Sequence, residues 1–283
     1  MFNQRRLKFT FVSFLILLSL ILVDIFQLQT EEFDSTSQTI DRQNLDKFYI
    51  TAPRGEIYDI NGEKIVRTIL EPHLFINLRK ITNQNLLNYK QIIQYNFSEL
   101  DNNEINEIFD SKEILSLVIN LSNVEYEVRN NLLMNYDAFE ILDLPIRQYI
   151  QNELFAHTIG YLGKPNQDDT GEFINALRNN QVGKNGLERQ YEDFLSGTSG
   201  EIIFEGSKII NFKQPIPGND LFLSIDSSTQ SVVRESLQQG IELANKSFAS
   251  SSEIKRGAAV VLDIETGNVL SMVSLPDYDP NKF

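Results

Sequence analysis

The 283-residue chain contains no cysteine and only two histidines, His73 and His157. Without thiols there is no disulfide, zinc ribbon, iron–sulfur cluster or cysteine nucleophile. Two histidines this far apart likewise exclude a His-rich metal site. Positive charge is scarce: 25 Lys and Arg stand against 39 Asp and Glu, a net charge of −14. That balance excludes nucleic acid as a partner, because phosphate binding needs a positive surface that releases counterions. No cofactor motif is complete either, since Gly183-Lys184-Asn185-Gly186 lacks the spacing of a phosphate loop. The groups left for chemistry are Ser, Thr, Lys, Tyr and carboxylates.

Hydrophobic residues make up 41% and charged residues 23%, ordinary values for a chain that buries a core. The length accommodates one or two domains plus appendages. Arg5, Arg6 and Lys8 precede an uncharged apolar run from Phe9 to Val23, which Ile25 and Phe26 extend past Asp24. The run is about 18 residues long, near the lower end of what a helix needs to span a bilayer. Basic residues lie before it and Asp24, Glu31, Glu32 and Asp34 after it. By the positive-inside rule the N-terminus is cytoplasmic and the bulk of the chain is outside. The alternatives are a buried helix and a cleaved signal peptide. The latter would carry a shorter apolar region and a small-x-small site, which residues 24–33 lack.

Residues 27–48 are polar and read as a juxtamembrane stalk. Ile57, Ile60, Ile65 and Val66 flank Asn61-Gly62, a strong hairpin signal. His73–Leu78 alternates and predicts a further strand. From Thr82 the period becomes helical: Leu86, Tyr89, Lys90 and Ile93, then Ile105, Ile108 and Phe109. Ser122 and Glu125 fit a capping box ahead of a helix bearing Val124, Val128 and Leu132. Repeated asparagines in this stretch suggest a solvated, peripheral insert. Phe139–Leu144 predicts a strand, and Leu154–Tyr161 a short helix or turn ending at Gly160. Two strands, Glu201–Glu205 and Lys208–Phe212, flank Gly206-Ser207. Asp220–Ile225 predicts a strand and Ser227–Asn245 an amphipathic helix with Val233, Leu237, Ile241 and Ala244 on one face. A serine-rich loop leads to a final hairpin, Ala258–Leu262 and Val269–Val273, turning at Glu265–Asn268. These last elements alone rarely bury enough apolar surface to be stable.

A serine nucleophile with a lysine one helical turn away would suit the remaining chemistry. The one Ser-x-x-Lys match, Ser252 to Lys255, sits in a loop entering a strand and is discounted; no Ser-x-Asn follows it and no Lys-Thr-Gly or Lys-Ser-Gly occurs. Carboxylate pairs such as Asp168-Asp169 read as solvated faces. Asp279 before Pro280-Asn281 reads as a turn former, and His73 and His157 as structural. Arg54 and Glu188 stand out because each lies beside a glycine where the chain turns tightly. A buried Arg54–Glu188 ion pair tying two distant segments together would explain both.

In order along the chain come the basic tail and apolar run, Arg54-Gly55-Glu56-Ile57-Tyr58-Asp59-Ile60-Asn61-Gly62, and Arg147-Gln148-Tyr149. His157 to Gly163 follows with Gly160, then Gly186-Leu187-Glu188-Arg189-Gln190-Tyr191-Glu192. Pro217 to Asp226 is next, then Gly257 to Asp263 with Thr266-Gly267, and Pro276-Asp277-Tyr278-Asp279-Pro280-Asn281. This series resembles the N-terminal half of the class B penicillin-binding proteins, monofunctional peptidoglycan D,D-transpeptidases, of elongation or division type. Ile60 stands where the family commonly has Arg, and Ile150 where a Pro usually follows.

The resemblance implies an α+β fold with an N-terminal transmembrane helix and an elongated, β-rich pedestal bearing a helical insert. Onto these the opening strand, helix and hairpin of a serine β-lactamase-like transpeptidase domain would follow. The implied divisions are 1–27 for tail and anchor, 28–218 for the pedestal or dimerisation domain, and 219–283 for the truncated start of the transpeptidase. The matching motif residues, Arg54, Gly55, Asp59, Asn61, Gly62, His157, Gly160, Gly186, Glu188, Tyr191, Asp226, Gly267, Asp279 and Asn281, are expected to be structural. The family's Ser-x-x-Lys lies beyond Phe283, so no catalytic residue is expected within this chain, nor a cofactor or metal. In the complete protein a serine would attack the D-Ala-D-Ala carbonyl of a stem peptide, with the motif lysine as base. A neighbouring peptide would then aminolyse the acyl-enzyme, and β-lactams would acylate the same serine. The implied partners are peptidoglycan stem peptides, a SEDS-type glycan polymerase in the membrane, and a second copy of the chain. The competing reading is a non-catalytic, membrane-anchored scaffold that keeps the pedestal.

Overall fold

The computed structural model describes Ser19 and residues 45–173, 176–247 and 253–283. The expected anchor, most of the stalk, and Ser252 with its serine-rich loop lie outside the described residues. The chain divides into two units after Leu45, and the second, Asp46–Phe283, is the one described below. Among the described residues no helix is long and apolar enough to cross a membrane.

In chain order the strands are β1 (Leu45–Ile50), β2 (Ile57–Tyr58), β3 (Lys64–Asn77), β4 (Leu115–Asn120), β5 (Phe139–Tyr149), β6 (Leu162–Gly163), β7 (Val182–Gly183), β8 (Gly200–Glu205), β9 (Lys208–Lys213), β10 (Leu221–Phe222), β11 (Gly257–Leu262) and β12 (Val269–Leu275). The backbone of the architecture is β3. The hairpin arm after Asn61-Gly62 and the strand expected at His73–Leu78 are one continuous strand of 14 residues. Antiparallel β5 pairs with Val66–Ile76 on one side, while β2 and then β4 share the other. Pro72 sits within this strand without breaking a ladder. Its carbonyl accepts from Leu121, so the side lacking an N–H faces the gap between β2 and β4.

Alternation along β3 sorts the core into two faces. Leu74 and Ile76 pack into a helical layer with Tyr89, Ile93, Ile105, Leu132 and Phe139. Phe75 points the other way, onto Ile50, Leu115, Ile202 and Phe204, beneath the three-stranded sheet β1–β8–β9. The helical insert (Leu86–Asn96, Asn102–Asp110 and Tyr126–Asn135) is thus a packed layer with its own buried cluster rather than a loose periphery. The asparagines occupy its solvent side and its caps. Its capping box lies elsewhere than expected: Asp101 and Glu104 form one reciprocally, whereas Glu125, not Ser122, precedes the third helix and makes no side-chain cap. The Ser122 amide instead donates to Asn120.

At the other end of β3 a third cluster gathers Ile57, Ile65, Val66, Tyr149, Phe155, Ile159, Leu195 and Ile225. Of the strand expected at Asp220–Ile225 only Leu221–Phe222 pairs, parallel to β2. The helix Ser227–Ser247 and the β11–β12 hairpin follow, with Leu237 and Ile241 over Gly257. One face of the hairpin stays bare: Val260 and Met272 are cross-strand partners, 54% and 41% exposed.

Candidate functional site

Where β2, the end of β5 and the Gly186–Gln190 helix meet, four charged side chains are buried together. Arg54 leads into β2. Its Nη2 and Nε donate to Glu188 Oε2 at 2.8 and 3.1 Å, and Nη1 and Nη2 donate to the two carboxylate oxygens of Glu192 at 3.1 and 3.0 Å. Arg147, on β5, donates from Nε to Glu188 Oε1 at 2.8 Å and from Nη1 to the Gly55 carbonyl at 2.6 Å. The Gly183 amide donates to Glu192 Oε2 at 2.8 Å. Glu188 is fully buried and Arg54 is 7% exposed. Two guanidiniums against two carboxylates leave no net charge, which is what makes the burial tolerable. Burial pushes the Glu188 carboxyl up, but Arg147 and Arg54 outweigh it and hold it below the usual carboxylate range.

Glycines allow the backbones to close around this cluster. A side chain at Gly55 would put Cβ 1.8 Å from the Asn219 carbonyl oxygen. Gly160 and Gly186, at φ +85° and +60°, lie back to back: a Cβ on the first would meet the Asn185 carbonyl at 2.1 Å, and on the second the Ile159 carbonyl at 2.6 Å. Nothing larger than hydrogen fits at these contacts.

A second group of the expected residues forms the joint to the long helix. Asp59 is 1% exposed. Its carboxylate accepts from the Asn61 and Glu63 amides at 2.8 Å each and from the Ser227 amide at 3.2 Å. Asn61 Nδ2 donates to Asp226 Oδ2 at 2.7 Å, and Asp226 Oδ1 accepts from the Thr229 amide at 2.6 Å, capping the helix. Gly62 closes the turn at φ +79°. A third group docks the segment after β12. His157 Nε2 donates to the Pro276 carbonyl at 2.8 Å. Asn281 clasps the Tyr149 backbone and its amide donates to Asp279 Oδ1 at 3.0 Å. Tyr191 is 42% exposed, and Gly267, at φ +75°, lies in the distal β11–β12 turn; neither joins a cluster.

Glu192, Arg147 and Tyr149 complete the cluster; the sequence offers them as members of the motif series but not as candidate site residues. The spacing of Glu188 and Glu192 would place both on one helix face, which is the signal available. Asp169, read as solvated, is 1% exposed. It caps its helix with Asn166 and accepts from Lys184 at 2.5 Å and Arg189 at 2.8 Å. Burial pushes its carboxyl up, yet Lys184, the Asn166 contact and Arg189 hold it well below the usual range. Lys184 is therefore engaged by Asp169 rather than presented to a phosphate. Lys255 is exposed. Among the described residues no group of three or more acidic or histidine side chains converges as a metal site. Every cluster described here joins segments of the chain to one another.

The model of the penicillin-binding protein dimerisation domain matches residues 49–223. The peptidoglycan D,D-transpeptidase MrdA of Haemophilus influenzae is 30% identical across 99% of this chain and 43% of its own length. MrdA of Escherichia coli K12 is 29% identical across 99% of this chain and 44% of its own. Among solved structures, the penicillin-binding protein PBP2 in its complex with MreC from Helicobacter pylori is 25% identical. It has a TM-score of 0.63 over 86% of this chain and 44% of that one. The chain therefore spans less than half the length of the curated relatives it matches. With the dimerisation-domain match covering more than half the sequence, and the α+β fold shared with PBP2, the chain belongs to the class B penicillin-binding proteins, as an N-terminal part of one.

Proposed function

We propose that this chain is the membrane-anchored base of a peptidoglycan D,D-transpeptidase. In this reading residues 1–27 form the tail and single-pass anchor with the N-terminus cytoplasmic. Residues 28–218 form the extracytoplasmic pedestal, and 219–283 begin the transpeptidase domain. The clusters of Arg54, Asp59 and His157 hold that domain on its support, and in this reading the chain itself is non-catalytic. The observation that carries the reading is the seating of residues 219–283. They are fastened to the pedestal through Asp59, Tyr149 and His157, while Val260, Leu262 and Met272 stay exposed, as expected of a sheet that further chain would cover. Stem peptides and β-lactams would then be ligands of the longer protein. A SEDS-type polymerase, a second copy, and a protein of the MreC kind are its partners, in cell elongation or division.

Two measurements test this. Fluorescent penicillin is expected to leave this chain unlabelled and to label a version extended through a Ser-x-x-Lys motif; labelling of the chain as it stands would overturn the non-catalytic reading. The absence of cysteine makes topology simple to read. Lys208→Cys in intact cells is expected to react with a membrane-impermeant maleimide, and reaction only after lysis would overturn the extracytoplasmic placement.

A further inference from the structure

We infer that Tyr149 is a two-ended joint through which the buried Arg54–Glu188–Arg147 cluster governs how firmly residues 276–283 are seated. Tyr149 closes β5. Its ring is 5% exposed, packed within the cluster of Ile57, Val66 and Phe155, and its hydroxyl donates to Glu188 Oε1 at 3.5 Å. Glu188 Oε1 is the same oxygen that receives Arg147 Nε, and Arg147 and Tyr149 share one face of β5 two residues apart. One end of Tyr149 is thus set by the charge cluster.

The other end is its backbone. The Tyr149 amide donates to Asn281 Oδ1, and Asn281 Nδ2 donates to the Tyr149 carbonyl, each at 3.0 Å. The asparagine side chain stands in for a neighbouring strand on the open edge of β5. Three further bonds of this segment fall on the turn that follows directly, while Asp277 accepts from Arg234 Nε of the long helix at 2.6 Å and Tyr278 Oη accepts from Asn185 Nδ2 at 3.5 Å. Asn281 Nδ2 also donates to Asn152 Oδ1 at 3.1 Å, Tyr278 Oη donates to the Ala156 carbonyl at 2.9 Å, and His157 Nε2 holds Pro276. Pro280 is buried against the same turn. Residues 276–283 therefore rest mainly on residues 149–157, and that turn starts from the residue whose ring lies in the cluster.

The consequence is mechanical. Glu188 and Arg54 come from segments more than a hundred positions apart, so a force separating those segments loads the cluster together with the Gly55–Leu195 backbone bond beside it. Tyr149 passes the displacement to the seat of Asn281 without either ion-pair partner touching it. Such coupling is reciprocal: loosening the seat must also loosen the cluster.

Hydrogen exchange on the full chain tests this in both directions. Asn281 is exposed, so Asn281→Ala is expected to fold. It should speed exchange about 5-fold or more, the lower end of ordinary site-to-site coupling, in peptides covering 276–283 and also in those covering 186–192. The helical insert at 86–110 should keep its wild-type rate. Glu188→Gln should produce the converse, with faster exchange at 276–283. If Asn281→Ala frees 276–283 and leaves 186–192 unchanged, if Glu188→Gln speeds exchange at 276–283 no more than at 86–110, or if Tyr149→Phe, which deletes the hydroxyl bonded to Glu188, leaves the coupling intact, the joint does not exist.

Discussion

Arg54 donates twice to a single oxygen of Glu188, at 2.8 and 3.1 Å, across a sequence separation of 134 residues. Both side chains are buried, and Arg147 occupies the second carboxylate oxygen at 2.8 Å. Removing the charge of Glu188 would leave two buried guanidiniums with one carboxylate between them.

Glu188→Gln keeps the volume and deletes the charge. It is expected to destabilise the chain by about 3–5 kcal/mol, the usual result of breaking one side of a buried ion pair. Urea unfolding followed by circular dichroism measures it; an unchanged midpoint would remove the cluster from the account of stability.

Acid should act through the same groups. Glu188, Asp59 and Asp169 all have folded carboxyl pKa values held below their ordinary ones. Each binds protons less readily folded than unfolded, so each contributes stability that is present above the unfolded carboxyl value of about 4. That contribution is lost as pH falls from there through the lowered folded values. Urea midpoints are expected to stay flat on these groups' account between pH 7 and pH 5 and to fall below about pH 4. The fall should be shallower in Glu188→Gln. A midpoint that rises below pH 4 would contradict the assignment.

Two glycine substitutions should have opposite signs. Gly55→Ala forces Cβ against the Asn219 backbone at 1.8 Å and is expected to cost at least the roughly 1–3 kcal/mol typical of overpacking. Gly240 lies exposed within the long helix, with open space for at least 4 Å around the point where a Cβ would stand. Gly240→Ala is expected to stabilise by about 0.5–1 kcal/mol, because alanine loses less backbone entropy in a helix. Thermal melting of both variants decides it.

Helix capping in the insert offers a sharper contrast. Asp101→Ala deletes a side chain that accepts from the Asn103 and Glu104 amides at 2.7 and 2.8 Å, and should cost about 1 kcal/mol. Ser122→Ala, which a capping-box reading of the sequence would make equally costly, should fall within about 0.5 kcal/mol of wild type. Comparable losses for both would restore Ser122 as a cap.

Much of the local structure is legible in the sequence. The hairpin at Asn61-Gly62, the helices of the insert, the hairpin at Gly206-Ser207 and the long helix from Ser227 follow from turn chemistry and hydrophobic period. Differences arise where neighbours outside the local window decide. Two expected strands merge into β3 because β5 pairs continuously from Val66 to Ile76, and Ser122 loses its cap role because its amide is already turned toward Asn120. At the candidate site, the glycines beside Arg54 and Glu188 mark a tight meeting of chains. Glu192 carries a helical spacing and a place in the motif series, and Arg147 and Tyr149 are visible only as part of that series.

From the residues alone come the chemical inventory and the local grammar. There are no thiols, there is an acidic excess, and the turns and periods name each element, because those properties belong to single residues and near neighbours. Which few of the 39 acidic residues leave water is settled only in three dimensions. A carboxylate can be buried only where cations and amides converge on it. For Glu188, Glu192 and Asp59 those partners include groups up to 168 positions away along the chain.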